Sequence, residues 1–164
     1  MRAVTTAHHL AQVNVGRLSA PLDSEQIRPF MELLAPINAV ADVAPGFVWR
    51  LQTDAGDATG VRIDPDPQLA INLSVWESRE ALWDYVYRSP HLEVLRRRRE
   101  WFDRHAEMHM AMWWVEAGTL PTVDDALARV DHIRAHGPTP HAFTFKQAYE
   151  SDGTPVERPR AAAG

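Results

Sequence analysis

Two histidines are the strongest candidates for acid–base chemistry, because an imidazole titrates near neutral pH. His91 directly follows the Ser89-Pro90 break between two helical segments, and His109 falls in the middle of a predicted strand. Each is of a residue type that serves as a general base or as an axial haem ligand. The alternative for each is a structural histidine that is hydrogen-bonded to the backbone.

A second group of candidates comes from the strict alternation of residue types over residues 69–76. Hydrophobic side chains at every second position predict a strand with one core-facing side. The other side carries Asn72, Ser74 and Trp76. Small polar and aromatic side chains suit the lining of a ligand cavity. The alternative for Trp76 is a core position, which is the usual one for a tryptophan at regular strand spacing.

Applied to the other predicted strands, the same reasoning adds Gln12, Asn14, Arg50, His109 and Trp113 to this face of the sheet. Amides and tryptophans on one face can stack a planar ligand and hydrogen-bond its oxygens. Arg50 suits a substrate carboxylate or an enolate, which a guanidinium binds through two hydrogen bonds. The alternative is that this face packs against a second subunit.

One helical face carries an arginine among apolar residues. His91, Leu95, Arg98 and Phe102 recur at intervals of three to four residues and therefore share that face. A buried guanidinium needs a carboxylate or an anionic ligand. A structural ion pair with Glu77, Glu100 or Asp42 is the favoured interpretation.

Four strands and four helical segments are predicted to position these side chains. The strands are 8–16, 47–53, 69–76 and 108–115, and the helices are 24–43, 78–87, 91–105 and 122–136. This order predicts an α+β fold, a ferredoxin-like βαββαβ unit with a four-stranded antiparallel sheet, helices on one face and an extra C-terminal helix. Residues 1–149 are expected to form one domain and residues 150–164 a flexible tail.

The two faces of the predicted sheet have different partners. The two main helices leave one face bare, which predicts that a second copy of the chain covers it in a homodimer. Within 108–115, the methionines at alternate positions suit a helix-packed core. That choice assigns His109 and Trp113 to the cavity side.

Composition excludes several classes of function. The chain has 164 residues and no cysteine, which excludes disulfides, thiolate catalysis and cysteine-ligated metals. A net charge of -5 gives no electrostatic reason to expect nucleic acid or an anionic membrane as a partner. Without a signal-peptide pattern or a long apolar run, a cytoplasmic protein is predicted. His105 and His109 would pair on a metal only within a helix, so no metal is expected.

Several segments resemble known families. The strand-to-helix junction at 74–78 (SVWES), with Ala81-Leu82 and His91 after it, is similar to the dimeric α+β barrel superfamily of antibiotic-biosynthesis monooxygenases. Segments 38–42 (NAVAD), 45–51 (PGFVWRL), 86–89 (VYRS), 97–102 (RRREWF) and Trp113-Trp114 resemble the domain of unknown function DUF3291. The superfamily includes cofactor-free monooxygenases, cyclases, isomerases and haem-binding branches, and fold alone does not choose among them.

The function predicted from these features is a small-molecule enzyme of specialised metabolism that uses no cofactor. It would be a cyclase, an isomerase or a monooxygenase that abstracts a proton from a planar oxygenated substrate. His91 or His109 would take the proton, Arg50 and Asn72 would hold the oxyanion, and Trp76 and Trp113 would orient the ring. The alternatives are a haem protein that uses one of the same histidines and a non-catalytic ligand-binding or dimerisation domain.

Overall fold

The structure is a computed structural model that describes residues 7–53, 56–59, 66, 68–102 and 109–157. The strands are β1 (His8–Arg17), β2 (Phe47–Arg50), β3 (Leu69–Trp76) and β4 (His109–Glu116). They form one antiparallel sheet in the order β2-β3-β1-β4. This order, with helices between β1 and β2 and between β3 and β4, confirms the predicted ferredoxin-like α+β fold.

Four α-helices accompany the sheet. They are α1 (Arg28–Asp42), α2 (Arg79–Arg88), α3 (His91–Arg96) and α4 (Val123–His136), and a short 3₁₀ turn at Arg98–Glu100 follows α3. Ser78 caps α2 by accepting a hydrogen bond from the Ala81 backbone N–H, as its sequence position predicts. The helix predicted over 91–105 is much shorter, and residues 103–108 lie outside the described part of the chain.

One face of the sheet is apolar and packs against α4. Side chains from three strands bury their surface against Ala126 and Val130 of that helix, and they include Ala11, Val13, Leu73, Val75, Ala111 and Trp113. This face was predicted to be bare and covered by a second subunit, whereas α4 of the same chain lies on it. A bare sheet face therefore no longer supports the homodimer, which stays a prediction.

The other face of the sheet packs against α1 and α2. Its core contains Trp76 from β3, Met112 from β4, Ala41 from α1 and Leu82 from α2, together with Phe143. The backbone of Phe143 exchanges two hydrogen bonds with Met112, with N···O distances of 2.8 and 2.9 Å. The chain after α4 thus adds to the outer edge of β4.

Residues 150–157, which the sequence analysis assigns to a flexible tail, are hydrogen-bonded to the domain. The Glu150 backbone N–H donates to the Thr154 carbonyl at 2.8 Å, and the Val156 N–H donates to the Ala148 carbonyl at 2.9 Å. Val156 packs against the core between the sheet and α2. This segment is therefore part of the folded domain, while residues 158–164 lie outside the described residues.

None of the described helices combines the length and the apolar composition that a membrane span requires.

Candidate functional site

A cavity of about 250 Å³ lies between the sheet and helices α1, α2 and α3. Its apolar wall includes Leu34 and Ile37 from α1, Leu82 and Val86 from α2, and Val94 and Leu95 from α3. Its polar lining consists of Gln12, Asn14, Asn38, Arg50, Asp57, Thr59, Asn72, Ser74, Tyr85, Tyr87, His91 and Arg98. An apolar pocket with a limited set of polar groups is the usual form of a small-molecule site.

A row of hydrogen-bonded side chains crosses β1 and β3 on the cavity face. The Gln12 side-chain amide donates to Asn72 Oδ1 at 2.6 Å and to Ser74 Oγ at 2.7 Å. Asn14 Nδ2 donates to Gln12 Oε1 at 2.9 Å, and Trp76 Nε1 donates to Ser74 Oγ at 2.9 Å. Gln12 and Ser74 are only 5% and 6% exposed. The network therefore satisfies buried polar groups that would otherwise be costly.

This network determines what the row offers to a ligand. A serine hydroxyl has one donor hydrogen and two acceptor lone pairs. Because Ser74 Oγ accepts from both Gln12 and Trp76, its own O–H is left to donate. Asn72 accepts through Oδ1, so its amide N–H groups are also left as donors. The sheet side of the cavity thus presents two neighbouring donors, a pair suited to a carbonyl or enolate oxygen.

His91 begins α3 and lines the cavity from the helical side. Its Nδ1 lies 3.3 Å from the Val86 carbonyl oxygen, and its backbone N–H donates to Ser89 Oγ at 3.2 Å. The Val86 contact favours the tautomer with the proton on Nδ1, which leaves the Nε2 lone pair unprotonated. Burial lowers the pKa of His91, against a smaller opposing effect of the Val86 carbonyl. A neutral imidazole is the form that accepts a proton.

Tyr85 is a cavity residue that the sequence analysis does not select. Its ring stacks on Trp76 with 5.0 Å between ring centroids, and its hydroxyl donates to the Ile37 carbonyl at 3.4 Å. Burial is the main cause of a raised pKa for Tyr85, so the phenol stays protonated. The spacing of Tyr85 three residues after the buried Leu82 was the available signal, because it puts both on the inner side of α2.

Trp76 lies on the predicted face but beneath the cavity surface. It is 1% exposed and is covered by Tyr85 on one side and Phe47 on another. Among the described residues, the cavity lining includes Tyr85 and Ser74 but not Trp76. Trp76 therefore supports Ser74 and Tyr85, and the predicted ring-stacking contact with a ligand is wrong as stated.

Arg50 reaches the cavity because β2 contains a bulge. Phe47 pairs with Trp76 and Trp49 pairs with Val75. Trp76 and Val75 are adjacent in β3, whereas Val48 lies between Phe47 and Trp49 in β2 as one extra residue. The bulge reverses which side chains of β2 point to each face of the sheet. It therefore puts Arg50 opposite Ser74 on the cavity face. Without it, Arg50 would face α4.

The guanidinium of Arg50 already has partners in the protein. It donates to both carboxylate oxygens of Asp42, at 2.7 and 3.2 Å, and to the Gly56 carbonyl at 2.7 Å. The guanidinium N–H groups that were predicted to bind a substrate carboxylate or enolate thus donate to Asp42 instead. Arg50 holds α1 and the 56–59 segment at the cavity wall.

His109 and Trp113 were predicted to line the cavity, and the β4 register shows that this is wrong. β4 pairs with β1 so that Met112 lies opposite Gln12, while Trp113 lies opposite Ala11 and His109 opposite Val15. Paired residues point to the same face of a sheet, so His109 and Trp113 lie on the α4 side. Trp113 packs in the apolar core there, and His109 Nε2 contacts Arg134 of α4.

A metal or a haem would need particular ligands at the site. Within the described residues, no three His, Asp or Glu side chains are grouped as metal ligands. His91 has the free nitrogen of an axial ligand, so the haem alternative stays a prediction.

Solved structures with related folds share little sequence with this chain. SnoaB, a cofactor-independent oxygenase from Streptomyces nogalater, has 18% identity and a TM-score of 0.48, covering 71% of this chain and all of that chain. A conserved protein from Methanosarcina mazei Go1 has 16% identity and a TM-score of 0.48, covering 63% of this chain and 91% of that chain. Similarity at this level is too low to transfer an activity.

Comparison by sequence gives one clear result. No protein with a curated description matches the chain significantly. The family called Domain of unknown function (DUF3291) matches residues 9–159, which is nearly the whole chain. The chain belongs to the DUF3291 family.

Proposed function

We propose that the chain is a cofactor-free enzyme that removes a proton from a small planar ketone or phenol bound in the cavity. The observation that carries this proposal is the presence of a neutral histidine, His91, and a fixed pair of hydrogen-bond donors, Asn72 and Ser74, in the lining of one cavity. A base and an oxyanion site are the two elements that enolisation needs.

In the proposed reaction, the Nε2 lone pair of His91 takes a proton from the carbon next to the substrate carbonyl. The C–H bonding pair moves into the C–C bond, and the carbonyl π pair moves onto oxygen. Asn72 N–H and Ser74 O–H donate to that oxygen as its negative charge develops. The Val86 carbonyl, which accepts from Nδ1, stabilises the imidazolium that forms.

The resulting enolate is the common intermediate of the three predicted activities. Return of the proton from His91 to a different carbon gives isomerisation. Attack of the enolate carbon on an electrophile within the same substrate gives cyclisation. Addition of dissolved dioxygen to the enolate carbon gives, after protonation, a hydroperoxide. Loss of water from the hydroperoxide leaves a second carbonyl, so that one oxygen atom enters the substrate and the other leaves as water, which is a monooxygenation. The proposed roles of His91, Asn72 and Ser74 are the same in all three.

Arg50 has a different role from the one expected from the sequence. Its hydrogen bonds to Asp42 and Gly56 make it a positioning residue for the cavity wall. Gln12 is likewise a positioning residue, since both of its amide hydrogens are donated to Asn72 and Ser74. The cavity then orients the substrate mainly through its apolar wall and through Tyr85.

The experiment that tests the proposal follows hydrogen exchange and needs no knowledge of the natural substrate. 2-Tetralone is a small two-ring ketone with exchangeable protons next to its carbonyl. We expect the wild-type protein in D₂O to accelerate deuterium incorporation at these carbons above the buffer rate, measured by proton NMR. His91→Ala should lower the protein-dependent rate by about a hundred-fold or more.

His109→Ala is the matched control because His109 lies on the opposite face of the sheet. Its exchange rate should stay within two-fold of the wild-type rate. A wild-type rate equal to that of buffer would contradict the proposal and favour a ligand-binding protein without catalysis. Equal rates for wild type and His91→Ala would remove His91 as the base.

A further inference from the structure

Among the described residues that line the cavity, Arg98 is the guanidinium without a carboxylate partner. Its Nη1 donates to the Leu95 carbonyl at 3.1 Å. None of the described carboxylates forms an ion pair with it, although the sequence analysis expects Glu77, Glu100 or Asp42 to do so. Asp42 pairs with Arg50, and Glu100 pairs with Arg97 at 2.8 Å.

The neighbouring arginines of the same segment are arranged differently. Arg96 pairs with Glu93, and Arg97 pairs with Glu100 while its guanidinium lies 4.8 Å from the ring centroid of Trp101. Arg98 alone among these three lines the cavity. An unpaired cation beside a cavity is a recognition group for an anion.

The surroundings of Arg98 are apolar. Val94, Leu95 and Phe102 line the cavity beside it, and Phe30 of α1 contacts Phe102 edge-on with 5.6 Å between ring centroids. A ligand that reaches Arg98 would therefore pass its body along hydrophobic and aromatic side chains. The cation would then bind only a group at the end of that body.

The positions of His91 and Arg98 indicate the shape of such a ligand. His91 begins α3 and Arg98 lies just after the end of that helix, and both side chains line the cavity. A two-ring aromatic skeleton with a terminal carboxylate suits this arrangement. The same skeleton has the planar shape required by the proposed function.

Asp57 is the carboxylate that also lines the cavity within the described part of the chain. Its Oδ1 accepts from the Thr59 backbone N–H at 2.9 Å and from Thr59 Oγ1 at 2.5 Å. The segment carrying Asp57 is held by Arg50 through Gly56. The Asp57 carboxylate is thus held by Thr59 within the same turn, and it forms no ion pair with Arg98.

From these observations we infer that the ligand of the cavity is an aromatic carboxylate, whose carboxylate group is bound by Arg98 while its ring system lies between Phe102 and His91. The inference rests on the proposed function in taking this cavity as the substrate site. It adds the charge of the substrate and the residue that selects for it.

Binding of 2-naphthoate and of its neutral isostere 2-naphthamide, measured by isothermal titration calorimetry, tests the inference. The wild-type protein should bind 2-naphthoate about five-fold or more tightly than 2-naphthamide, the size expected for one partly exposed charge pair. Arg98→Gln should reduce this preference to less than two-fold. Because Arg98 is exposed, the variant should fold like the wild type, which circular dichroism checks.

Arg99→Gln removes the same charge from the next residue, which is also exposed but lies outside the cavity lining, and it should keep the full preference. Equal affinities for the two probes in the wild type, no binding of either probe, or an undiminished preference in Arg98→Gln would each overturn the inference. The result is independent of turnover. A carboxylate preference without hydrogen exchange on 2-tetralone would leave this inference standing while contradicting the proposed function.

Discussion

Gln12 and Ser74 lie directly opposite each other on β1 and β3, and the Gln12 amide donates to Ser74 Oγ at 2.7 Å. This pair joins the two central strands on the cavity face, and both side chains are buried. Trp76 donates to the same oxygen, so one serine hydroxyl organises an amide and an indole. Positions on the sheet that would ordinarily be apolar thus carry hydrogen-bond donors that line the cavity.

Ser74→Ala should destabilise the fold as well as the site. It leaves the buried Gln12 and Trp76 N–H groups without their shared acceptor, which costs about 1–3 kcal/mol of unfolding free energy. Urea denaturation measures this loss. Ser151→Ala, in an exposed turn, should change the unfolding free energy by less than about 0.5 kcal/mol. Equal effects of the two substitutions would show that the buried network does not stabilise the protein.

The sequence predicted the fold more completely than the site, and β4 shows why. Alternation in β4 correctly separates His109 and Trp113 from Met110 and Met112. It does not say which set faces the helices α1 and α2, because both sets are apolar enough for a core. The face is decided by the pairing of Met112 with Gln12, a contact between residues far apart in the chain.

Arg50 and Asp42 illustrate a second limit of sequence reasoning. The bulge in β2 depends on the backbone of two strands, and alternation alone cannot reveal it. The ion pair with Asp42 joins the end of α1 to β2, eight residues apart across a turn. Residue types identified Arg50 as a strong anion binder, but only the structure shows that its partner is part of the protein.

Stability should depend on pH through His91. Burial lowers the pKa of His91 in the folded protein below the value of about 6.5 for an unperturbed histidine. Above that pH both states are neutral and the group has no effect. As the pH falls below it, the unfolded chain binds a proton first, so the unfolding free energy decreases until the folded pKa is reached.

His91→Gln should therefore flatten the loss of unfolding free energy between pH 6.5 and 5, measured by urea denaturation at several pH values. Ser151→Ala, in an exposed turn, removes no titratable group and should leave the wild-type slope. His141 also has a lowered pKa, caused by burial and then by Arg129 and His132, so some slope should remain in the His91 variant. An unchanged slope in His91→Gln would contradict the prediction.

The ion pair between Arg50 and Asp42 should contribute measurably to stability. The Arg50 side chain is 14% exposed and the Asp42 side chain 44%, so solvent weakens the pair without removing it. A double-mutant cycle with Arg50→Met and Asp42→Asn should give a coupling energy of about 1 kcal/mol. The exposed pair Arg88 and Asp84 serves as the control and should give a coupling near zero. Similar couplings for both pairs would show that the cavity wall does not depend on this contact.

Gly46 should be the least replaceable glycine described in the structure. It has a φ of +80°, and a Cβ at this position would lie 2.5 Å from the Cβ of Ala81 in α2. Its carbonyl accepts a hydrogen bond from the Glu77 N–H at 2.7 Å. The close approach brings the start of α2 against the turn before β2, and α2 carries Tyr85 over Trp76.

Gly46→Ala should therefore lower the unfolding free energy by more than backbone strain alone. Strain at positive φ costs about 1–2 kcal/mol, and displacement of α2 adds a further cost of about 1–3 kcal/mol. Gly118→Ala separates the two effects, because Gly118 has a φ of +93° but no atom within 4 Å of an added Cβ. Urea denaturation should show a larger loss for Gly46→Ala than for Gly118→Ala. Equal losses would mean that α2 shifts without cost, and the position of Tyr85 would then not be fixed by its packing against the turn at Gly46.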